Sequence, residues 1–124
     1  MEWKVVFIGL GGFLGAIARY WLSGFIYQWL GTDFPYGTLV VNVLGAFLLG
    51  FFMTAVLRGV AIPARNVITI GFLGAFTTFS TFSYETVVLL QQGELLRGVG
   101  NVVMSIVLGV VAVILGIILA RVMF

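Results

Sequence analysis

The sequence contains no cysteine and no histidine, and only 8% of its 124 residues are charged. The absence of cysteine excludes disulfides and thiolate chemistry, and without either residue type the chain lacks the ligands of the common zinc sites. A soluble domain carries about 25% charged residues, far more than this chain. The net charge of +2 comes from so few ionised groups that it does not indicate nucleic-acid binding.

Apolar residues make up most of what is present. Hydrophobic residues account for 62% of the chain, and the mean hydropathy is +1.25. These values indicate an integral membrane protein, and one helical span needs about 20 apolar residues. The chain therefore has room for four spans and no separate soluble domain. We predict an all-α, four-helix transmembrane domain over residues 1–124, with helices at about 5–29, 36–57, 66–90 and 99–120.

The first apolar run has two interpretations. A basic residue, a short apolar core and Ala16-Ile17-Ala18 resemble a cleavable signal peptide. However, the apolar pattern resumes after Arg19, and Gly11 and Gly15 form a small-residue pair suited to close helix contact. We therefore expect a retained first helix. Ala112, Gly116 and Ala120 form a similar stripe in the fourth span.

The basic residues bear on orientation. In a four-span topology one side of the membrane holds Lys4, Arg58, Arg65 and Arg121. The other side holds Arg97, together with Arg19 if that side chain reaches the interface. The positive-inside rule then favours both termini in the cytoplasm, but with so few charges insertion in both orientations stays open.

The stretch from Gly71 to Glu85 is too polar for a lipid-facing helix. It holds two glycines, five serine or threonine hydroxyls and a carboxylate, whereas polar groups at membrane depth must be satisfied within the protein. On a helix its polar and aromatic residues fall on three stripes, namely Thr78, Thr81 and Glu85, then Phe79 and Phe82, then Ser80 and Ser83. Since no single face collects the polarity, this helix is either surrounded by protein or broken.

A break in this stretch would create an ion-binding element. Gly71, Gly74 and the pair Thr77-Thr78 are plausible break points, and freed carbonyl and amide groups at membrane depth bind ions in channels and transporters. The hydroxyls and the amide of Asn42 are neutral donors, and the positive ring edges of phenylalanines suit an anion. Arg19 would raise the local anion concentration. This chemistry favours a small, hard anion or a cation over an organic substrate.

Each of these residues also has a purely structural interpretation. Phe79 and Phe82 are typical packing residues, and membrane hydroxyls usually bond back to their own helix. Asn42 is also explained as a polar contact between helices, and Arg19 as a side chain that extends to the interface. A functional role is favoured for Glu85, because placing a carboxylate at membrane depth costs free energy. This argument fails if Glu85 lies near the membrane surface.

Three segments resemble one family. The segment Gly71-Phe72-Leu73-Gly74-Ala75-Phe76-Thr77-Thr78-Phe79-Ser80-Thr81-Phe82 resembles the signature of the small bacterial fluoride channels, the Fluc or CrcB family. Two further segments resemble that family, Gly12-Phe13-Leu14-Gly15-Ala16-Ile17-Ala18-Arg19-Tyr20 in the first span and Gly37-Thr38-Leu39-Val40-Val41-Asn42-Val43-Leu44-Gly45 in the second. The resemblance covers essentially the whole chain, and the fourth span is its least diagnostic part.

The resemblance implies an architecture and a function. It implies an antiparallel, dual-topology homodimer of four-helix subunits in the inner (cytoplasmic) membrane, with the third helix broken near its middle. Two fluoride pores would run along the subunit interfaces, and the protein would be a passive fluoride channel rather than an enzyme. Its partners would be fluoride, a second copy of the chain and membrane lipid.

The resemblance also implies specific residues. Those implied in the fluoride pore are Asn42, Phe79, Phe82, Thr78, Ser80, Thr81, Glu85 and Arg19, with Arg19 in the vestibule. A structural sodium ion at the dimer centre would be held by the backbone carbonyls of Gly74 and Thr77.

Two other functions compete with this one. A small dual-topology, proton-coupled multidrug transporter would need a carboxylate in its first span, where this chain has Arg19, and Glu85 is the only deep acidic candidate. A non-transporting assembly subunit, in which all the polarity joins helices together, would conduct no ion.

Overall fold

Four long apolar segments form the fold. The computed structural model describes residues 2–124, and four of its helical segments are long and apolar enough to cross a membrane, Glu2–Leu30, Tyr36–Leu57, Val67–Gln91 and Leu95–Met123. The protein is therefore an all-helical, multi-pass membrane protein. We name the helices α1 (Glu2–Leu30), α2 (Tyr36–Leu57), α3 (Leu73–Phe76), α4 (Phe79–Gln91) and α5 (Leu95–Met123). A π-helical segment, Val67–Phe72, precedes α3.

The connections are short and begin at residues that do not continue a helix. Gly31 and Gly93, with φ of +84° and +79°, follow α1 and α4 in the left-handed conformation that glycine adopts most easily. Helix α5 begins at Leu95, before the predicted 99, and its first turn packs through Gly98 against the side chain of Leu90. The α4–α5 connection is therefore shorter than the sequence pattern indicated.

Helix α2 lies between the other spans, and small residues let α5 approach it closely. A Cβ atom added at Gly50 would lie 2.5 Å from the Val113 carbonyl oxygen, and one at Gly116 would overlap the Phe47 carbonyl oxygen. Ala112 and Ala120 are buried along the same stripe. The predicted small-residue stripe of the fourth span is thus confirmed as the α2–α5 contact.

Helix α1 packs against the third span in the same way. Gly11 and Gly15 are buried, and a Cβ atom at either would collide with the backbone of Val67 or Phe72. This contact confirms the predicted packing role of the glycine pair. Helix α1 runs without interruption through Arg19.

The third span, Val67–Gln91, contains the π-helical segment, α3 and α4. Between α3 and α4 the backbone is extended, with φ/ψ of −91°/158° at Thr77 and −150°/118° at Thr78. The Thr77 methyl group lies directly over Gly45 of α2, where a Cβ atom would overlap it. Gly45 therefore makes room for the extended residues.

Candidate functional site

The side chain of Asn42 pairs with the backbone of Thr78. Its Nδ2 donates to the Thr78 carbonyl oxygen at 2.9 Å, and the Thr78 N–H donates to its Oδ1 at 2.7 Å. The amide thus bonds to both backbone groups of an extended residue, and it satisfies an N–H that would be costly to leave unpaired at membrane depth. Asn42 is a structural partner of the segment between α3 and α4.

Thr78 also caps the helix that follows it. Its Oγ1 accepts from the N–H of Thr81 at 3.2 Å and donates to the Thr81 hydroxyl at 3.0 Å. A threonine at this position satisfies one of the first N–H groups of α4, which have no partner within the helix. Asn42, Thr78 and Thr81 are therefore one hydrogen-bonded group.

These side-chain bonds release two carbonyl groups. In a continuous α-helix the N–H of Thr78 would donate to the Gly74 carbonyl, and the N–H of Thr81 to the Thr77 carbonyl. Both N–H groups bond to side-chain oxygens instead, those of Asn42 and Thr78. The carbonyls of Gly74 and Thr77 are thus among those that lose their helical donors where α3 ends and α4 begins.

The released backbone opens onto a groove. This groove has a volume of about 360 Å³, and its polar lining includes Asn42, Thr69, Thr77 and Thr78. Gly74 lies on its exposed side, with no atom closer than 4.0 Å to the position of a Cβ atom. The single chain therefore leaves these polar groups accessible from one side.

Glu85 belongs to a second polar group. The hydroxyls of Tyr27 and Thr38 donate to its two carboxylate oxygens, with a Tyr27–Oε2 distance of 3.0 Å. Glu85 and Tyr27 line an open cavity of about 530 Å³, the mouth cavity, beside the loop residue Asp33 and beside Arg97 in the first turn of α5. This placement puts the carboxylate in an open cavity near the helix ends rather than in the dry interior of the bundle.

Helix α2 connects the two polar groups. Thr38 and Asn42 are one turn apart and so share a face of α2. They contact α4 at Glu85 and the residue before α4 at Thr78. The face of α2 that carries Thr38 and Asn42 therefore extends from the mouth cavity to the extended residues Thr77 and Thr78 of the third span.

The remaining predicted residues lie outside these groups. Phe79 is 79% exposed, and its ring centroid is 5.8 Å from that of the more buried Phe82. Ser80 is exposed. The Nε of Arg19 is buried and has no hydrogen-bond partner within residues 2–124. The structure brings five of the predicted pore residues into the two hydrogen-bonded groups or beside their groove, namely Asn42, Thr78, Phe79, Thr81 and Glu85.

Two residues at the mouth were not singled out as site residues from the sequence. Thr38 lies in the motif of the second span, and its spacing of four from Asn42 is a signal that would have found it. Tyr27 has no such signal, because it is one of several aromatic residues in α1.

The fold and these groups define a class, the small multi-pass membrane proteins that keep polar side chains and released backbone groups inside their spans. Residues 6–117 match the family described as "CrcB-like protein, Camphor Resistance (CrcB)", and the chain belongs to that family.

Several relatives carry one name, "Fluoride-specific ion channel FluC". The protein of that name from Citrifermentans bemidjiense is 53% identical over 95% of this chain and 97% of its own length. The one from Geobacter sp. strain M21 is 52% identical over 95% of this chain and 97% of its own length. A longer relative of the same name, from Methylococcus capsulatus, is 49% identical over 98% of this chain and 54% of its own length.

Proposed function

We propose that this protein is a subunit of a fluoride-selective channel that lets fluoride leave the cell passively across the cytoplasmic membrane. The observation that carries the proposal is the 53% identity, over almost the whole of both chains, to a protein named as a fluoride-specific ion channel. The neutral polar groups within the spans support it. Passive exit would protect cytoplasmic enzymes that fluoride inhibits.

The proposed pore runs past neutral donors. Fluoride is small and strongly hydrated, so its selection requires closely spaced donors in a narrow path. The hydroxyls of Thr78, Ser80 and Thr81 and the amide of Asn42 supply donors without a full charge, so that a bound ion can still leave. Phe79 and Phe82 would present their positive ring edges to the ion.

Charged residues would act at the pore ends. Glu85 lines the mouth cavity, where two hydroxyls already donate to its carboxylate. This arrangement turns donors toward the carboxylate and limits its repulsion of an entering anion. Arg19 would attract fluoride to the vestibule, since its buried Nε–H needs an acceptor.

The third span would cross the membrane as two helical halves joined by Thr77 and Thr78. The carbonyls of Gly74 and Thr77 fit a sodium site, because their helical donors bond elsewhere and hard carbonyl oxygens are suitable sodium ligands. When bound, sodium would supply positive charge that offsets the negative carboxyl-terminal end of α3. Gly74 also has the open space that an ion and a second set of ligands require.

A second, antiparallel copy of the chain would complete the site, with one pore along each of the two subunit interfaces. The groove beside Gly74 is open, and two large apolar residues at this surface, Ile70 and Phe79, are 60% and 79% exposed. A partner subunit would cover them and close the groove into a path. The few basic residues are compatible with insertion in both orientations.

Ion efflux from liposomes tests the channel function. Purified protein should release fluoride and retain chloride, as followed by ion-selective electrodes. Phe82→Ile should lower fluoride release at least about tenfold because it removes the ring edge, a loss of the size expected for one specific contact.

Phe25→Ile is the matched control, since Phe25 lies on the exposed face of α1 and should keep wild-type flux. Equal release of fluoride and chloride by the wild type would contradict the proposal. Release of neither ion would favour the assembly subunit, and proton-driven dye efflux that is lost in Glu85→Gln would favour the multidrug transporter.

A further inference from the structure

Asn101 of α5 is a buried polar residue that the proposed pore does not use. It is only 1% exposed, and its Nδ2 donates to the Oγ1 of Thr86 in α4 at 2.9 Å. Thr86 in turn donates to the carbonyl oxygen of Phe82 at 2.7 Å. A side chain of α5 is thereby linked to the backbone of the residue that carries the proposed pore ring.

The direction of these bonds constrains Thr86. Because its oxygen accepts from Asn101, its own hydrogen points to the Phe82 carbonyl. A threonine hydroxyl that bonds to the carbonyl four residues earlier often bends its helix. Asn101 therefore fixes the Thr86 hydroxyl on the Phe82 carbonyl, at the turn of α4 that contains Phe82. On the far side, Ser105 donates to Asn101 over a longer 3.4 Å.

Helix α4 depends on such side contacts for its orientation. The extended residues Thr77 and Thr78 separate it from α3, so a continuous helix does not impose its rotation. Two successive residues of α4 are held from different sides, Glu85 by Tyr27 of α1 and Thr38 of α2, and Thr86 by Asn101 of α5. Contacts on both sides restrict rotation of α4 about its own axis.

We propose that Asn101 is a positioning residue for ion selectivity: through Thr86 it sets the rotation of α4 and so directs the Phe82 ring toward the ion path. The inference rests on the proposed fluoride channel function. Asn101 does not touch the ion in this role. It acts on discrimination between anions, because a rotated ring would admit an ion of another size.

Four variants isolate this link. Thr86→Val keeps the shape of the side chain and removes both hydrogen bonds, whereas Asn101→Ala removes the donor from α5. Thr86→Ser retains the hydroxyl and should behave as wild type. The matched control is Ser83→Ala, which removes the same kind of bond within α4, to the Phe79 carbonyl at 2.9 Å, without a partner in α5.

The measurement is the ratio of fluoride to chloride efflux from liposomes, with dimer recovery on size-exclusion chromatography as the check on folding. Thr86→Val and Asn101→Ala should each lower the ratio about tenfold, and the double variant should lower it no further, because both remove one link. Thr86→Ser and Ser83→Ala should stay within about twofold of wild type.

The outcomes separate this inference from the function on which it rests. A wild-type protein that does not discriminate fluoride from chloride overturns the proposed function. A selective wild type whose Thr86→Val and Asn101→Ala variants are recovered as dimers with unchanged ratios overturns the positioning role. Loss of folded protein in both variants also overturns it, because the pair would then serve folding alone. Additive losses in the double variant would exclude a shared mechanism.

Discussion

At the scale of single residues, Asn42 substitutes for a peptide group. A primary amide carries one acceptor and two donor hydrogens, so it can bond to the N–H and the C=O of one residue at once. Asn42 does this at Thr78. Glutamate, aspartate or a hydroxyl at this position would satisfy the pair only in part. The structure therefore requires asparagine at this position, in addition to the proposed role of Asn42 in the pore.

Asn42→Asp tests this pairing. Aspartate keeps an acceptor for the Thr78 N–H but places a carboxylate oxygen against the Thr78 carbonyl, which replaces the side-chain hydrogen bond to that carbonyl by repulsion between two oxygens. We expect a loss of about 1–3 kcal/mol in stability and strongly reduced fluoride release. Thermal unfolding in detergent and liposome efflux measure the two effects.

The same substitution at Asn66 is the control, since Asn66 is exposed and its side chain only accepts from Arg65, at 3.4 Å. Unfolding midpoints that shift equally in both variants would contradict the special role of Asn42.

At the scale of helices, packing depends on small residues placed where two backbones meet. Gly50 of α2 faces α5, and Gly116 of α5 faces α2. Each glycine leaves room for a backbone carbonyl group of the other helix. In lipid such close approach replaces the hydrophobic effect as the source of helix association, because acyl chains are as apolar as the side chains. The α2–α5 contact supports the bundle beside the proposed pore.

Gly116→Ala should destabilise the protein because the new methyl group would force α2 and α5 apart. We expect a loss of about 1–3 kcal/mol, as for other overpacked sites. Gly109→Ala is a matched control in the same helix, since no atom lies within 4 Å of its Cβ position.

The control should be neutral or slightly stabilising, as alanine favours a helix by about 1 kcal/mol over glycine. Unfolding curves of the two variants in one detergent provide the comparison. An equal effect at the two positions would refute the packing argument.

At the scale of the whole molecule, the single chain leaves polar groups accessible from one side. Its polar groove is open, and the released carbonyls of Gly74 and Thr77 lie beside it. Polar backbone groups facing acyl chains would be costly, so a second subunit, with an ion between the two, is the proposed solution. The proposed arrangement would make dimerisation and ion binding interdependent.

Gly74→Leu tests the proposed interface. The isolated subunit has space for the side chain, so the variant should fold, but a second copy in contact with Gly74 would be displaced. We expect a shift from dimer to monomer by size-exclusion chromatography and cross-linking, with fluoride release reduced at least about tenfold.

Gly24→Leu should remain dimeric, since Gly24 is exposed and also has open space at its Cβ position. A Gly74→Leu dimer of wild-type stability would place the interface elsewhere.

Exchange of sodium for a large organic cation tests the proposed central ion. A ligand that binds only the assembled state stabilises it by about 2.7 kcal/mol at a hundred times its dissociation constant. Removal of sodium should therefore lower the dimer's unfolding temperature and its fluoride release together. Readdition of sodium should restore both, and dimer stability and flux that are indifferent to sodium would exclude the ion.

The sequence by itself determined the number of spans, the helical class and the family, because run length, composition and local motifs carry these properties. The small residues at spacings of four also indicated which helix faces pack, since helical geometry converts spacing into a common face. Gly15 and Gly116 are examples in which a local pattern was sufficient.

Only the tertiary structure decided which polar groups meet. Asn42 and Thr78 are 36 residues apart, and Tyr27 and Glu85 are 58 apart. Nothing in the spacing of one helix tells which side chain of another will lie opposite, because this depends on how the helices are arranged around α2. For the same reason the contact of Asn101 with Thr86 became visible only once α4 and α5 lay side by side.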